Sequence, residues 1–123
     1  MLFRSELHAA AGVRADAWYA AWAEPDDAKR HAALAAIAAP DVRFGDKWSL
    51  LDGVDEVSHH AGAALRFMPG MTMQRAGDAR HCLGTALVDW VVPGPDGQTK
   101  ARGTNVFTFG PAGEITSVTG FWN

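Results

Sequence analysis

Hydrophobic positions in the first half of the chain recur at helical spacing. Ala15, Trp18, Ala21 and Trp22 fall on one face at i, i+3 and i+4 intervals, with Val13 and Ala17 beside it, which predicts a helix over about 13–23. Residues 2–11 can extend it, with Gly12 as the weak point of a continuous helix. Glu24-Pro25-Asp26-Asp27 breaks this helix and opens another, because Asp26 or Asp27 can cap free amides and their charge suits a helix N-terminus. Leu34, Ile37 and Ala38 supply its buried stripe, and Pro40 ends it. Val42-Arg43-Phe44 reads as a short strand and Gly45 to Gly53 as an irregular connection. A third helix follows over about Val54 to Met68, capped by Asp52. Val57, Ala61, Ala64, Leu65 and Met68 form its stripe, and Pro69-Gly70 stops it.

After Gly70 the period changes from 3.6 to 2. Met71 and Met73 alternate with Thr72 and Gln74, and Ala86, Val88 and Trp90 alternate with Thr85, Leu87 and Asp89. Pro93-Gly94-Pro95-Asp96-Gly97 marks a turn. Gly103 to Phe109 and Ile115 to Trp122 are two further strands, joined by Gly110-Pro111-Ala112-Gly113. The order predicts an α+β chain whose helices cover one face of a mostly antiparallel sheet. The length of 123 residues is that of a single domain, with residues 1–12 an extension or the start of the first helix.

Composition removes several function classes. Eleven basic and 14 acidic side chains give a net charge of −3, and the closest approach to a basic run is Lys29-Arg30, too little to follow a phosphate backbone. Nucleic acid is therefore not expected as a partner. No stretch approaches the ~18 apolar residues of a membrane span. Arg4 and Glu6 interrupt the place where a signal peptide needs an apolar segment, so a cytoplasmic location is expected. Cys82 is the single cysteine, which excludes an internal disulfide and a cysteine cluster for a metal. The histidines show neither His-x-x-x-His nor His-x-His spacing, so no metal site is expected.

Several landmarks occur in an order that resembles the nuclear transport factor 2-like superfamily, which includes the SnoaL-like polyketide cyclases and ketosteroid isomerase. They are Trp18-Tyr19-Ala20-Ala21-Trp22, Pro40-Asp41-Val42-Arg43-Phe44-Gly45-Asp46, Gly53, Pro69-Gly70, and Trp90 shortly before Pro95-Asp96-Gly97. Gly103-Thr104-Asn105-Val106-Phe107 and Thr119-Gly120-Phe121-Trp122 complete the set. The resemblance implies a cone-shaped α+β barrel: three N-terminal helices packed on a strongly bent, mostly antiparallel sheet around a deep apolar pocket. It also implies a homodimer through the outer sheet face, where Thr85, Leu87 and Val91 would suit a contact. A fold of this kind supplies a pocket rather than a reaction.

The resemblance carries two residues into catalytic roles. Asp46 follows the first strand, where the isomerases hold their proton-shuttling carboxylate, and an apolar pocket would raise its pKa toward neutrality. Its alternative reading is a solvated turn aspartate beside Lys47. Asn105 matches the position of the protonated aspartic acid in the isomerase oxyanion hole, a worked case of pKa tuning; its amide can donate without any shift. Trp18 falls, by ungapped count, where the isomerases carry an oxyanion-hole tyrosine, and Tyr19 is rotated from it by about 100°. Trp18, Trp22, Phe44, Trp48, His60, Trp90, Phe107 and Trp122 are the expected pocket lining, with His59 facing solvent. By strand parity His81 and Asp89 are expected to point outward, and Arg102 to lie on the face opposite Asn105.

Three functions follow as expectations. The first is a cofactor-free isomerase or cyclase that moves a proton next to a carbonyl of an apolar, ring-shaped substrate. The second is a non-catalytic binding module for an apolar metabolite. The third is a dimeric adaptor.

Overall fold

The structure is a computed structural model that describes residues 4–70 and 72–123, with side chains described from residue 10 onward. Residues 1–3 and Met71, and with them the start of the predicted helix extension and of the Met71–Gln74 alternation, lie outside the described residues.

Helix α1 spans Arg4–Trp22 without a break, so Gly12 does not interrupt it. The physical reason is packing: a Cβ at Gly12 would sit 3.2 Å from the Arg75 guanidinium carbon, which lies against the helix there. Helix α2 spans Asp27–Ile37, and its Asp26 N-cap accepts a hydrogen bond from the Lys29 amide at 2.8 Å, as the sequence predicts. Strand β1 then starts at Ala38 and runs to Gly45, taking in Pro40. The ladder shifts register between Ala38 and Arg43, which accommodates a residue that cannot donate.

Strand β2 (Leu50–Asp52) forms within the segment expected to be irregular, and pairs antiparallel with β1 through Gly45 and Leu50. Helix α3 covers Gly53–Phe67. Asp52 stands at its N-cap but makes no capping bond. Its carboxylate accepts from Arg43 Nε at 2.9 Å, while its own amide donates to Glu56 at 3.0 Å. The remaining strands are β3 (Gln74–Arg75), β4 (Arg80–Cys82), β5 (Thr85–Pro93), β6 (Thr99–Phe109) and β7 (Ile115–Trp122).

The cone-shaped barrel does not form. The strand order is β2-β1-β7-β6-β5-β3, with β4 also on β5, so the sheet is open and its two ends do not meet. Closure would need consistent tilt and stagger around a full ring. Here one edge is a three-residue strand and the other is shared by two short ones. The sheet is also mixed, because β1 lies parallel to β7. It is not strongly curled. The three helices pack on its inner face, with Trp18, Leu34, Val42, Val57, Val88, Trp90, Phe107, Ile115 and Val118 fully buried between the layers.

Candidate functional site

The inner face of the sheet is built in rows. Asn105 of β6 stands opposite Val88 of β5 and Gly120 of β7, and the next row holds Trp90, Gly103 and Trp122. Gly120 has no side chain to fill its place. A Cβ there would lie 3.0 Å from Asn105 Oδ1 and 3.5 Å from Asp46 Cβ. The chain therefore brings Asp46 and Asn105 to the same glycine floor.

Asn105 is buried, and its Nδ2 donates to the Tyr19 hydroxyl at 3.0 Å. Burial pushes the Tyr19 hydroxyl well above its ordinary pKa, against the opposing effect of the Asn105 hydrogen bond and with help from the charge of Asp16. Tyr19 is thus a protonated donor throughout the physiological range. Asp46 is half-buried. Its Oδ1 accepts from the amides of Trp48 and Ser49 at 2.9 and 2.8 Å, an Asx-type turn that closes the β1–β2 hairpin. Lys47 does not pair with it; its ammonium lies 4.4 Å from the centroid of the Trp48 ring.

Three indoles lead from solvent to this floor. Trp48 is 65% exposed and packs edge-on against half-buried Trp122, whose ring meets fully buried Trp90 with centroids 4.8 Å apart. Gly103 is required beneath Trp90, because a Cβ there would run into the indole and the Phe121 carbonyl. Trp18, Phe44, Phe107 and Trp22 form a second aromatic group, with Trp18 stacked on Phe44 and edge-on to Phe107. Trp18 and Phe107 fill the core rather than line open space.

A surface pocket of about 520 Å³ lies between β2 and α3, lined by Leu51, Asp55, Glu56, His59, His60 and Ala63. Its lining is mostly apolar and suits a small apolar ligand. His60 and His59 both line it, and His59 is exposed, as expected. His60 lies edge-on against Trp22, so Trp22 separates this pocket from the aromatic core. No hydrogen bond joins His60 to Asp46. Among the described residues no three His, Cys, Asp or Glu side chains come together to hold a metal, and no helix is long and apolar enough to cross a membrane.

No model of a known protein family matches the sequence, and no curated protein does. Solved structures do match. A SnoaL-like family protein from Agrobacterium tumefaciens, named as a candidate isomerase, superposes with a TM-score of 0.85 at 26% identity, over 96% of this chain and 98% of that one. The chain has the SnoaL-like fold of the nuclear transport factor 2-like superfamily. A candidate SnoaL-like polyketide cyclase from Jannaschia superposes at 0.72 with 12% identity, over 96% and 86% of the two chains. A protein of ketosteroid isomerase-like fold from Catenulispora acidiphila, solved with trimethylamine, superposes at 0.71 with 15% identity, over 89% and 85%.

Within this SnoaL-like fold, Tyr19 and not Trp18 reaches Asn105, because the helix turns Trp18 toward Phe44 and Phe107. Asp89 points outward as expected, where it accepts from Thr104 at 2.7 Å, and Arg102 is exposed. His81 does not point outward: it stands opposite fully buried Ala86, on the inner face, and its Nε2 accepts from the Gly84 amide. His31 bonds to Asp55 across 24 positions of sequence. Arg14 was not singled out, yet its Nε is buried without an acceptor.

Proposed function

We propose that this protein is a cofactor-free enzyme of the isomerase or cyclase type, acting on a small, largely apolar carbonyl compound. The observation that carries this reading is that Gly120 is flanked by the Asp46 Cβ and by the buried Asn105 amide, which is itself bonded to the Tyr19 hydroxyl. The candidate isomerase from Agrobacterium, which shares the fold along almost its whole length, agrees with it.

The chemistry needs three events. A free oxygen of Asp46 takes a proton from the carbon next to the carbonyl. The electron pair moves onto the carbonyl oxygen, which becomes an enolate. Tyr19, its pKa raised and its own oxygen accepting from Asn105, donates its proton in a hydrogen bond to that oxygen. Asp46 then returns the proton to a different carbon, or the enolate carbon bonds to a second carbonyl carbon of the same molecule, whose C=O π pair passes to its oxygen, and that oxygen takes the proton from Asp46. The reading includes a homodimer through the outer sheet face.

The test is deuterium exchange at the carbon next to the carbonyl of cyclic ketones, followed by NMR. Asp46→Asn is expected to lower exchange by about 10²–10⁴-fold with ligand affinity retained. Tyr19→Phe is expected to lower it by about 10²–10³-fold. Exchange unchanged in Asp46→Asn would overturn the catalytic reading. A second reading has its own support: Asp46 Oδ1 is engaged by two backbone amides, as in a purely structural turn. Unchanged exchange together with intact ketone binding would make the protein a binding module.

A further inference from the structure

The pair that carries the proposed chemistry is shut off from solvent. Tyr19 is 5% exposed, Asn105 2% and Trp90 0%, and the surface pocket between β2 and α3 is lined by none of them. Trp90 also keeps its Nε1 buried without an acceptor. An unpaired donor inside a protein is costly, and water relieves it on arrival. An element beside the pair must therefore move before a ligand can reach it.

The element held least is β3. Its two residues, Gln74 and Arg75, ladder onto β5 at Val91 and Trp90, and the Ala76 amide donates to the Asp89 carbonyl at 2.8 Å. By contrast β5 is laddered to β6 from Thr85 to Pro93, β4 is tied to β5 through a tight turn, and the helices are joined through Arg30. Just after β3, Gly77 turns at φ 89° with open space around it. Half-buried Met73 packs this segment against the core.

One ion pair fastens β3 to α1. Arg75 meets Asp16 through Nε–Oδ1 at 2.9 Å and Nη2–Oδ2 at 3.0 Å, with its guanidinium against Gly12. Both side chains are partly exposed. Gly12, Asp16 and Tyr19 follow one another at i, i+4 and i+7. A single stripe of α1 thus carries the Arg75 contacts at one end and the Asn105 bond at the other. The Tyr19 hydroxyl, whose pKa is raised first by burial, also feels the charges of Asp16 and Arg75. Across the sheet Arg75, Trp90 and Gly103 form one row, and Asn105 stands in the next row on the same face.

We propose that β3, with its flanks over 72–78, is a hinged lid on the Tyr19–Asn105 pair, latched to α1 by the Arg75–Asp16 ion pair, and that ligands enter when it lifts. This rests on the reading of that pair as part of a substrate site. Lifting exchanges the short ladder for water, uncovers Trp90 and gives its Nε1 a partner. The latch is weak and screened by salt, as partly exposed ion pairs are. It sets how often the lid opens, not whether the chain folds.

The test is hydrogen exchange of the whole chain, read by NMR at the Ala76 amide and at the indole N–H of Trp90 and Trp22. Trp22 Nε1 is also buried without an acceptor but lies behind His60, away from β3, and serves as the control. In the wild type, Ala76 and the Trp90 indole are expected to exchange about a hundredfold faster than the β5–β6 ladder amides. Asp16→Asn is expected to speed both by about threefold to tenfold, with Trp22 and the ladder unchanged. Raising NaCl to about 0.5 M is expected to act in the same direction on the wild type, so the test does not depend on a variant that folds. Exchange of Ala76 and Trp90 at the ladder rate, or faster exchange at Ala76 without Trp90, overturns the lid. So does exchange that ignores both Asp16→Asn and salt, or that quickens at Trp22 and the ladder alike. No ligand takes part, so the lid and the chemistry fail separately. A lid beside unchanged carbon exchange in Asp46→Asn is the entrance to a binding module. Carbon exchange lost in Asp46→Asn beside a static β3 leaves the chemistry with another entrance.

Discussion

At the scale of single residues, burial decides which polar groups matter and backbone geometry decides which are strained. Leu83 shows the second effect. It lies at φ 50°, in the two-residue turn that joins Cys82 of β4 to Thr85 of β5, and its side chain is 70% exposed. Such a turn wants left-handed residues at both central positions, and Gly84 meets that need at φ 84° where leucine does not. Leu83→Asn is expected to raise stability by about 0.5–1 kcal/mol, relieving backbone strain without removing a buried contact. Chemical denaturation with an unchanged m-value checks it; a loss of stability would mean that Leu83 makes a contact its exposure does not show. The same scale explains what was legible in the site. Asp46 and Asn105 were legible because each sits at a landmark of a regular strand. Tyr19 was not, because counting along α1 fixes position but not which of two adjacent aromatics the helix turns toward β6.

Elements are joined chiefly through Arg30, a charge at the centre of the helical layer. From α2 its Nε donates to the Ser58 carbonyl of α3 at 2.8 Å, and its Nη1 donates to the Glu24 carbonyl just past α1 at 2.8 Å. Gly62 of α3 makes room for the guanidinium, which a Cβ would strike. Gly62→Ala is therefore expected to destabilise by about 1–3 kcal/mol, although alanine is the better helix former. Arg30→Met is expected to cost about 1–3 kcal/mol, because it leaves the Ser58 and Glu24 carbonyls without their donor. A Gly62→Ala variant as stable as the wild type in thermal melts would contradict the arrangement. The pair also sets an acid limit. Asp27 is held below the usual carboxylate range first by the hydrogen bond from Arg30 and then by its charge. A depressed carboxyl stabilises above its unfolded value, near pH 4, and that contribution is lost as pH falls through the lowered one. The long elements were readable because their periods are strong. Strands β2 and β4 were not, since three residues carry no period and form only where β1 and β5 offer an edge, while the alternation over Met71–Gln74 meets β3 only at Gln74.

For the whole molecule, the open sheet leaves an outer face that the helices do not cover. Across three strands it presents Leu87, Val106 and Thr119 in one row and Asp89, Thr104 and Phe121 in the next. Val91 stands half-buried at the end of the same strand, and Phe121 is 56% exposed. Periodicity gave the alternation that puts these residues outside. It gave no sign that the sheet would stay open, because closure depends on how edge strands meet, which is a non-local property. Two copies related by a two-fold axis would bring the apolar row of one face against that of the other. Covering such a face takes roughly 1,000 Å² or more to be stable in solution. The expected result is a dimer of the wild type by light scattering, and a monomer for Phe121→Arg combined with Leu87→Glu. The inner core, on the other side of the sheet, should be untouched, so Tyr19, Asn105 and Asp46 keep their geometry and the monomer keeps its affinity for ligand. A wild-type monomer at high protein concentration removes the dimer from the proposal. A double variant that stays dimeric moves the interface to another surface, with exposed Phe67 and Met68 at the end of α3 as the next apolar pair to substitute.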